Sequence, residues 1–157
     1  MAADNKILTV PADINYLAHI RDHVKKIAVA DNFDPKTIHA VQLAVDEVCT
    51  NVIRHGYKDI SGGLIQIKVN TGKTRIEVII IDQGKTHDPK QIKNPDLKRY
   101  VEIGKIGGLG IMMIRKLMDE IKYNVTSHGN EFHLIKYRQN VKKSGFIRLW
   151  RFFLRNI

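Results

Sequence analysis

Glu47 and Asn51 stand four residues apart in the segment 46–57, Asp-Glu-Val-Cys-Thr-Asn-Val-Ile-Arg-His-Gly-Tyr. In a helix, at roughly 100° per residue, they lie about 40° apart and one turn above each other, so both can act on one object. A carboxylate can accept a proton from a hydroxyl, and an amide oxygen can ligate a hard cation. The same spacing also describes a solvated helix face. Val41, Ala44, Val45, Val48 and Val52 recur at helical spacing on the other side, which assigns that side to a core. Gly56 stands where a helix C-cap glycine would close the element.

Two further groups follow. Residues 75–81, Arg-Ile-Glu-Val-Ile-Ile-Ile, read as a strand that runs directly into Asp82, Gln83 and Gly84. An Asp beside a Gly at a strand end is an ordinary turn in most sequences; it is also where a carboxylate can accept a hydrogen bond from an exocyclic amine such as that of adenine. Residues 104–110, Gly-Lys-Ile-Gly-Gly-Leu-Gly, then open a run over 111–118 whose apolar residues recur at helical spacing. Glycines at a helix start let backbone N–H groups approach phosphate oxygens, and the helix dipole favours the anion. The segment is not a Walker loop, because Ile111 and Met112 follow Gly110 where Lys and Ser or Thr are required. It is not a dinucleotide fingerprint either, since the glycines come late and no strand leads straight into them.

These groups need elements to position them. Strands are expected over 6–10, 64–70, 75–81, 121–126 and 131–137, and helices over 14–30, 35–55 and 110–118. Turn signals separate them at Asp34-Pro35, Ser61-Gly62-Gly63, Thr71-Gly72-Lys73 and His128-Gly129-Asn130. The irregular stretch 85–106 is long for a connection, and stretches beyond about 15 residues are usually lids or disordered. Three helices and strands mostly in hairpin order predict an α+β, two-layer sandwich, with helices packed on one face of a mixed, mostly antiparallel sheet.

The order of helix Glu and Asn, strand-end Asp-x-Gly and Gly-Gly-Leu-Gly helix is more specific than any member of it. On these residues the chain resembles the Bergerat-type ATPases, the superfamily of gyrase, heat-shock chaperone, histidine kinase and mismatch-repair ATP domains. Within it, segments 46–57, 82–89 and 107–111, followed by Met-Asp-Glu-Ile at 118–121, resemble the small anti-sigma-factor serine kinases over roughly residues 5 to 139. The resemblance implies ATP and Mg2+ as cofactors, Glu47 as general base for a substrate serine, and Asn51 as the magnesium ligand. It implies Asp82 as the reader of the adenine amine, with Gly84 letting the chain pass the base. Gly108, Leu109, Gly110 and Ile111 would give backbone contacts to the phosphates, and Lys105 would add charge beside them. A sigma factor and an anti-anti-sigma protein of the STAS type are the implied partners, in a homodimer, and the alternative is an ATP-binding regulatory interaction module of the same fold without kinase turnover. Three places depart from the usual pattern: Thr86 replaces a second glycine after Asp-x-Gly, His87 stands where small serine kinases often have an aromatic residue, and Gly129-Asn130-Glu131 stands where many relatives carry Gly-Thr, whose threonine often supports the adenine-reading Asp.

At 157 residues, with 43% hydrophobic and 27% charged residues, one soluble globular domain is expected over 1–140. The single cysteine, Cys49, permits no intrachain disulfide. No apolar signal region follows Met1 and no run approaches eighteen apolar residues, so a cytoplasmic location is expected. The net charge of +10 does not mark a nucleic-acid surface: seven cations follow the last acid, Glu131, leaving +3 for residues 1–131. The tail, 141–157, carries Arg148, Arg151 and Arg155 on one stripe of a helix, with Phe, Ile, Leu and Trp around the rest. Packing against the domain or a dimer mate, weak contact with an anionic membrane, and partner binding are all open to it. Arg21 and its helix are a further surface for partner contact or dimerisation. His19, His23, His39 and His133 show no metal-like clustering in sequence.

Overall fold

The computed structural model describes residues 6–85 and 108–139. The order is β1 (Ile7–Pro11), a 3-10 turn (Ile14–Tyr16), α1 (Leu17–Ala30), α2 (Pro35–Asn51), a π turn (Val52–Gly56), β2 (Leu64–Thr71), β3 (Arg75–Asp82), α3 (Gly108–Leu117), β4 (Glu120–Thr126) and β5 (Gly129–Tyr137). The strands form one sheet in the order β1-β2-β3-β5-β4, and every described pairing is antiparallel. The stretch at 85–106, including Lys105, and the tail at 141–157 lie beyond the described residues except for Lys85 itself.

Alternation builds the sheet's inner face. Ile65, Ile67 and Val69 of β2 and Ile76, Val78 and Ile80 of β3 are buried, while their sequence neighbours are not. Ile20, Val24 and Ala28 of α1 recur every four residues and are buried, as are Ile38, Val41, Ala44, Val45 and Val48 of α2. These stripes and the inner sheet face form one core cluster, so the helices cover one side of the sheet. Each fully buried Ile or Val side chain contributes about 1.5–3 kcal/mol relative to exposure. Cys49 belongs to this core at 0% exposure, and burial, with the charges of Asp46 and Asp82, pushes its thiol far above the ordinary range. It packs as a small apolar residue.

The ends of α2 matter most for the site. Its start is fixed by Asp34, whose carboxylate accepts from the Thr37 amide at 2.9 Å and the Thr37 hydroxyl at 2.6 Å, with Pro35 opening the first turn. Its other end departs from the expected glycine cap. The α-helix stops at Asn51 and widens into a π turn, in which the Tyr57 amide donates to the Val52 carbonyl at 2.9 Å. Gly56 is not among the residues with positive φ, so it does not act as a left-handed cap. The wider turn instead delivers Tyr57 to the strand ends: its hydroxyl donates to Leu64 O at 2.7 Å and accepts from Gln83 N at 2.8 Å.

At the opposite end of the domain, Arg138 follows β5 and joins three segments. Its guanidinium lies 3.6 Å from the Phe33 ring centroid, donates to Asp31 O at 2.7 Å, and pairs with the Asp31 carboxylate at 3.1 Å. On the outer sheet face, His133 stands between Glu77 at 3.1 Å and Glu131 at 3.4 Å. Burial pushes the Glu77 carboxyl upward, but hydrogen bonds from His133 and Asn70 outweigh it and hold the group below its usual value.

The Asp34 cap yields a stability test. Asp34→Ala is expected to cost about 1 kcal/mol in urea unfolding at neutral pH. The Thr37 hydroxyl, then the Thr37 amide, hold the folded carboxyl below its ordinary value. Its contribution is therefore present above the unfolded value, near pH ~4, and is lost as pH falls through the folded one. The difference between the two proteins should close in acid; a constant difference would contradict a charged cap.

Candidate active site

Asp82 is the last residue of β3 and shares the buried phase of Ile76, Val78 and Ile80, which carries its carboxylate into the helix-covered face at 3% exposure. A carboxylate there must be hydrogen-bonded. Its Oδ1 accepts from the Gly84 amide at 2.8 Å and from Asn130 Nδ2 at 2.9 Å. Asn130 lies directly across the ladder from Asp82, is 3% exposed, and also donates to Gly84 O at 3.2 Å. The Tyr123 hydroxyl donates to Asn130 Oδ1 at 3.0 Å, which fixes the amide's orientation. No described residue takes Oδ2, so one carboxylate oxygen is left as an acceptor. Asn130 thus provides the support that the sequence pattern assigned to a threonine.

Gly84 passes against the π turn. A Cβ there would come within 2.7 Å of the Gly56 carbonyl, and the Lys85 amide donates to Gly56 O at 2.7 Å. A Cβ on Gly56 would in turn sit 3.7 Å from Asp82 Oδ1, filling the space beside the carboxylate. The turn after α2 therefore forms one wall of the Asp82 pocket.

Glu47 and Asn51 are both part-exposed on the face of α2 away from its buried stripe. Asn51 Nδ2 donates to Glu47 Oε1 in a long 3.4 Å hydrogen bond, which leaves Asn51 Oδ1 available as an acceptor. Gly110, in the first turn of α3, lies against the same carboxylate. A Cβ there would come 2.7 Å from Glu47 Cγ and closer still to Cδ and Oε1, so a side chain at position 110 would displace the Glu47 carboxylate from where it now lies. Gly108, Leu109 and Ile111 share that first turn. One strip of α2 and its π turn thus carries Glu47 against the α3 start, Asn51 one turn on, and Gly56 against Gly84 and Asp82. Lys105 lies outside the described residues. Arg21 is bonded to Asp46, the residue before Glu47, at 2.6 Å.

Residues 10–136 match the family model described as the histidine kinase-like ATPase domain. The chain is 33% identical to the serine-protein kinase RsbW of Bacillus subtilis and 31% identical to that of Bacillus velezensis, each over 125 residues, 76% of this chain and 78% of the relative. The chain belongs to the anti-sigma factor serine kinase family of histidine kinase-like ATPases. Among solved structures, the RsbU and RsbW domains of a Mycobacterium tuberculosis protein superpose with a TM-score of 0.59 at 19% identity, over 87% of this chain and 34% of that one. That likeness bears on the fold, and the family accounts for ATP use.

Some of the site escaped sequence reasoning. Tyr123 carries no motif, Tyr57 entered only as the last residue of segment 46–57, and Asn130 read as turn chemistry and as a departure from the usual threonine. The alternation of β3 extended to Asp82, with a β5 partner placed opposite, is the signal that would have found Asn130.

Asn130→Val should lower unfolding stability by about 1–3 kcal/mol, because Asp82 then keeps only the Gly84 donor of its two described ones. Asn130→Thr retains a hydroxyl donor and should lose less. Equal losses in chemical denaturation would contradict a supporting hydrogen bond to Asp82.

Proposed function

We propose that the chain is an ATP-dependent protein serine kinase acting as an anti-sigma factor, which binds a sigma factor and phosphorylates a serine on an anti-anti-sigma antagonist of the STAS type. The observation that carries the reading is the contact between the Glu47 carboxylate and the glycine backbone opening α3, with the Asn51 amide beside it. A proton acceptor and a row of helix-start N–H groups then serve one reacting centre.

In this reading Asp82 Oδ2 accepts from the adenine amine, while Gly84 and Gly56 leave room for the base. The backbone at Gly108, Leu109, Gly110 and Ile111 donates to phosphate oxygens, with Lys105 adding charge. Asn51 Oδ1 would hold the magnesium ion, which supplies charge neutralisation on the phosphates and needs few protein oxygens. Glu47 takes the proton of the substrate serine hydroxyl as the seryl oxygen bonds to the γ-phosphorus and the bond to the ADP oxygen breaks. The kinase domain occupies 1–140 and the basic tail 141–157. The protein works as a cytoplasmic homodimer without direct nucleic-acid binding, and the tail packs against the domain or a dimer mate, with weak membrane contact through 142–157 as the alternative. No helix among the described residues is long and apolar enough to cross a membrane.

Two substitutions separate turnover from binding. Glu47→Gln should lower phosphoryl transfer to the antagonist by about 10²–10⁴-fold while nucleotide affinity, read by calorimetry, is nearly unchanged. Transfer that survives Glu47→Gln rejects the base assignment, and a native chain that binds ATP but transfers nothing is a nucleotide-gated interaction module.

Asn51→Ala should weaken nucleotide binding in magnesium and leave magnesium-free binding nearly as it was. Identical magnesium dependence in both proteins removes Asn51 as the metal ligand.

A further inference from the structure

The helix layer covers the sheet unevenly. α1 rests on β2, and α2 rests on β3 and β5, whereas β4 lies at the sheet's edge. Ile121, Tyr123 and Val125 of β4 stand across the ladder from Leu134, Phe132 and Asn130, and so share the helix-covered face with Val78, Ile80 and Asp82. Yet Ile121 is 37% and Val125 47% exposed, while Leu134 and Val78, in the same row as Ile121, are at 1% and 0%. Single exposed apolar side chains are ordinary, but these two flank Tyr123 on one strip of the face that the fold otherwise buries. The strip bears on the site: the Tyr123 ring packs on Phe132 at 4.6 Å, and its hydroxyl holds Asn130, the support of Asp82.

The chain leaves the sheet next to this strip and on the same side of it. The Asp119 amide donates to Ile135 O at 2.9 Å and its carboxylate accepts from the Tyr137 amide at 2.8 Å, so the end of β5 is fixed beside the start of β4. Two residues on, Gln139 Nε2 donates to the Asp34 carboxylate at 3.3 Å, and Asp34 caps α2 in the helix layer. Residues 140–145, Asn-Val-Lys-Lys-Ser-Gly, can span up to about 20 Å, enough to reverse direction. In 146–157 the spacing is helical: Phe146, Leu149, Trp150, Phe153 and Ile157 recur on one strip, with Arg148, Arg151 and Arg155 opposite. Such a strip is costly in water and needs an apolar surface of its own length. A helix of this length extends about 18 Å, and Ile121 to Val125 spans about 14 Å of strand.

We propose that residues 146–157 of the same chain lie along β4 as a further element of the helix layer, with the aromatic strip on Ile121, Tyr123 and Val125 and the three arginines turned to solvent. The placement rests on the reading in which the tail packs against its own domain. It also closes the sheet's edge over Tyr123, and so keeps water from the hydrogen bonds that run through Asn130 to Asp82.

Trp150 is the chain's one tryptophan, so its fluorescence in the full chain reports on the tail. Without lipid, the expected emission is that of a buried indole, shielded from acrylamide and unchanged on dilution. Val125→Glu and Ile121→Glu should each shift it to the red and open it to acrylamide, with cooperative urea unfolding retained. Ile7→Glu, at a residue 48% exposed on the other edge strand, should leave it unchanged. A buried Trp150 that ignores both β4 substitutions, or that responds equally to Ile7→Glu, overturns the site alone. Emission that reddens on dilution assigns the tail to a second copy and also overturns it. An indole open to water without lipid removes the packing reading itself, and burial on adding phosphatidylserine vesicles then assigns the tail to a membrane.

Discussion

A carboxylate buried among aliphatic side chains is the constraint on which this structure turns. Asp82 occupies a position that the β3 alternation would otherwise give to Ile or Val, and desolvating it is tolerable only with donors in place. Those donors come from two directions, the backbone folding back at Gly84 and the side chain of Asn130 across the ladder. The β3–β5 register is therefore part of the site. A one-residue slip would turn Asp82 to the outer face and remove Asn130 from it.

The second organising element is α2, which spans both halves of the pocket. Its buried stripe anchors it to the sheet, so the opposite face is held at a fixed height above the strand ends. Glu47 meets α3 at Gly110, where a side chain would displace its carboxylate, and the π turn meets Gly84 in a backbone contact that admits no side chain. A rigid spacer of this kind would give the proposed base, Glu47, a defined position without a dedicated binding loop.

Much of this was legible in the sequence because it rests on periodicity. The apolar spacing from Val41 to Val52 and the alternation from Ile76 to Ile80 placed the elements, and the sheet lies at the antiparallel end of the mostly antiparallel arrangement expected. Glu47, Asn51, Asp82, Gly84 and Gly110 were singled out by residue type and spacing together with the family resemblance that their order carries. Less legible were features set by packing between distant segments. Gly56 resembled a helix cap from local signals alone, yet the anchoring of Tyr57 on Leu64 and Gln83 accompanies a π turn instead. Asn130 at a hairpin reads as turn chemistry until the strand opposite it is known.

The Tyr57 phenol has a kinetic implication. The strand end that carries Asp82 is clipped at Gln83 by a side chain from the π turn, and the same hydroxyl holds Leu64 at the start of β2. Loosening the turn would therefore release both strand ends together. The pocket floor and the end of α2 should open as one cooperative unit in native-state amide exchange, separately from the far end of the sheet that Arg138 secures.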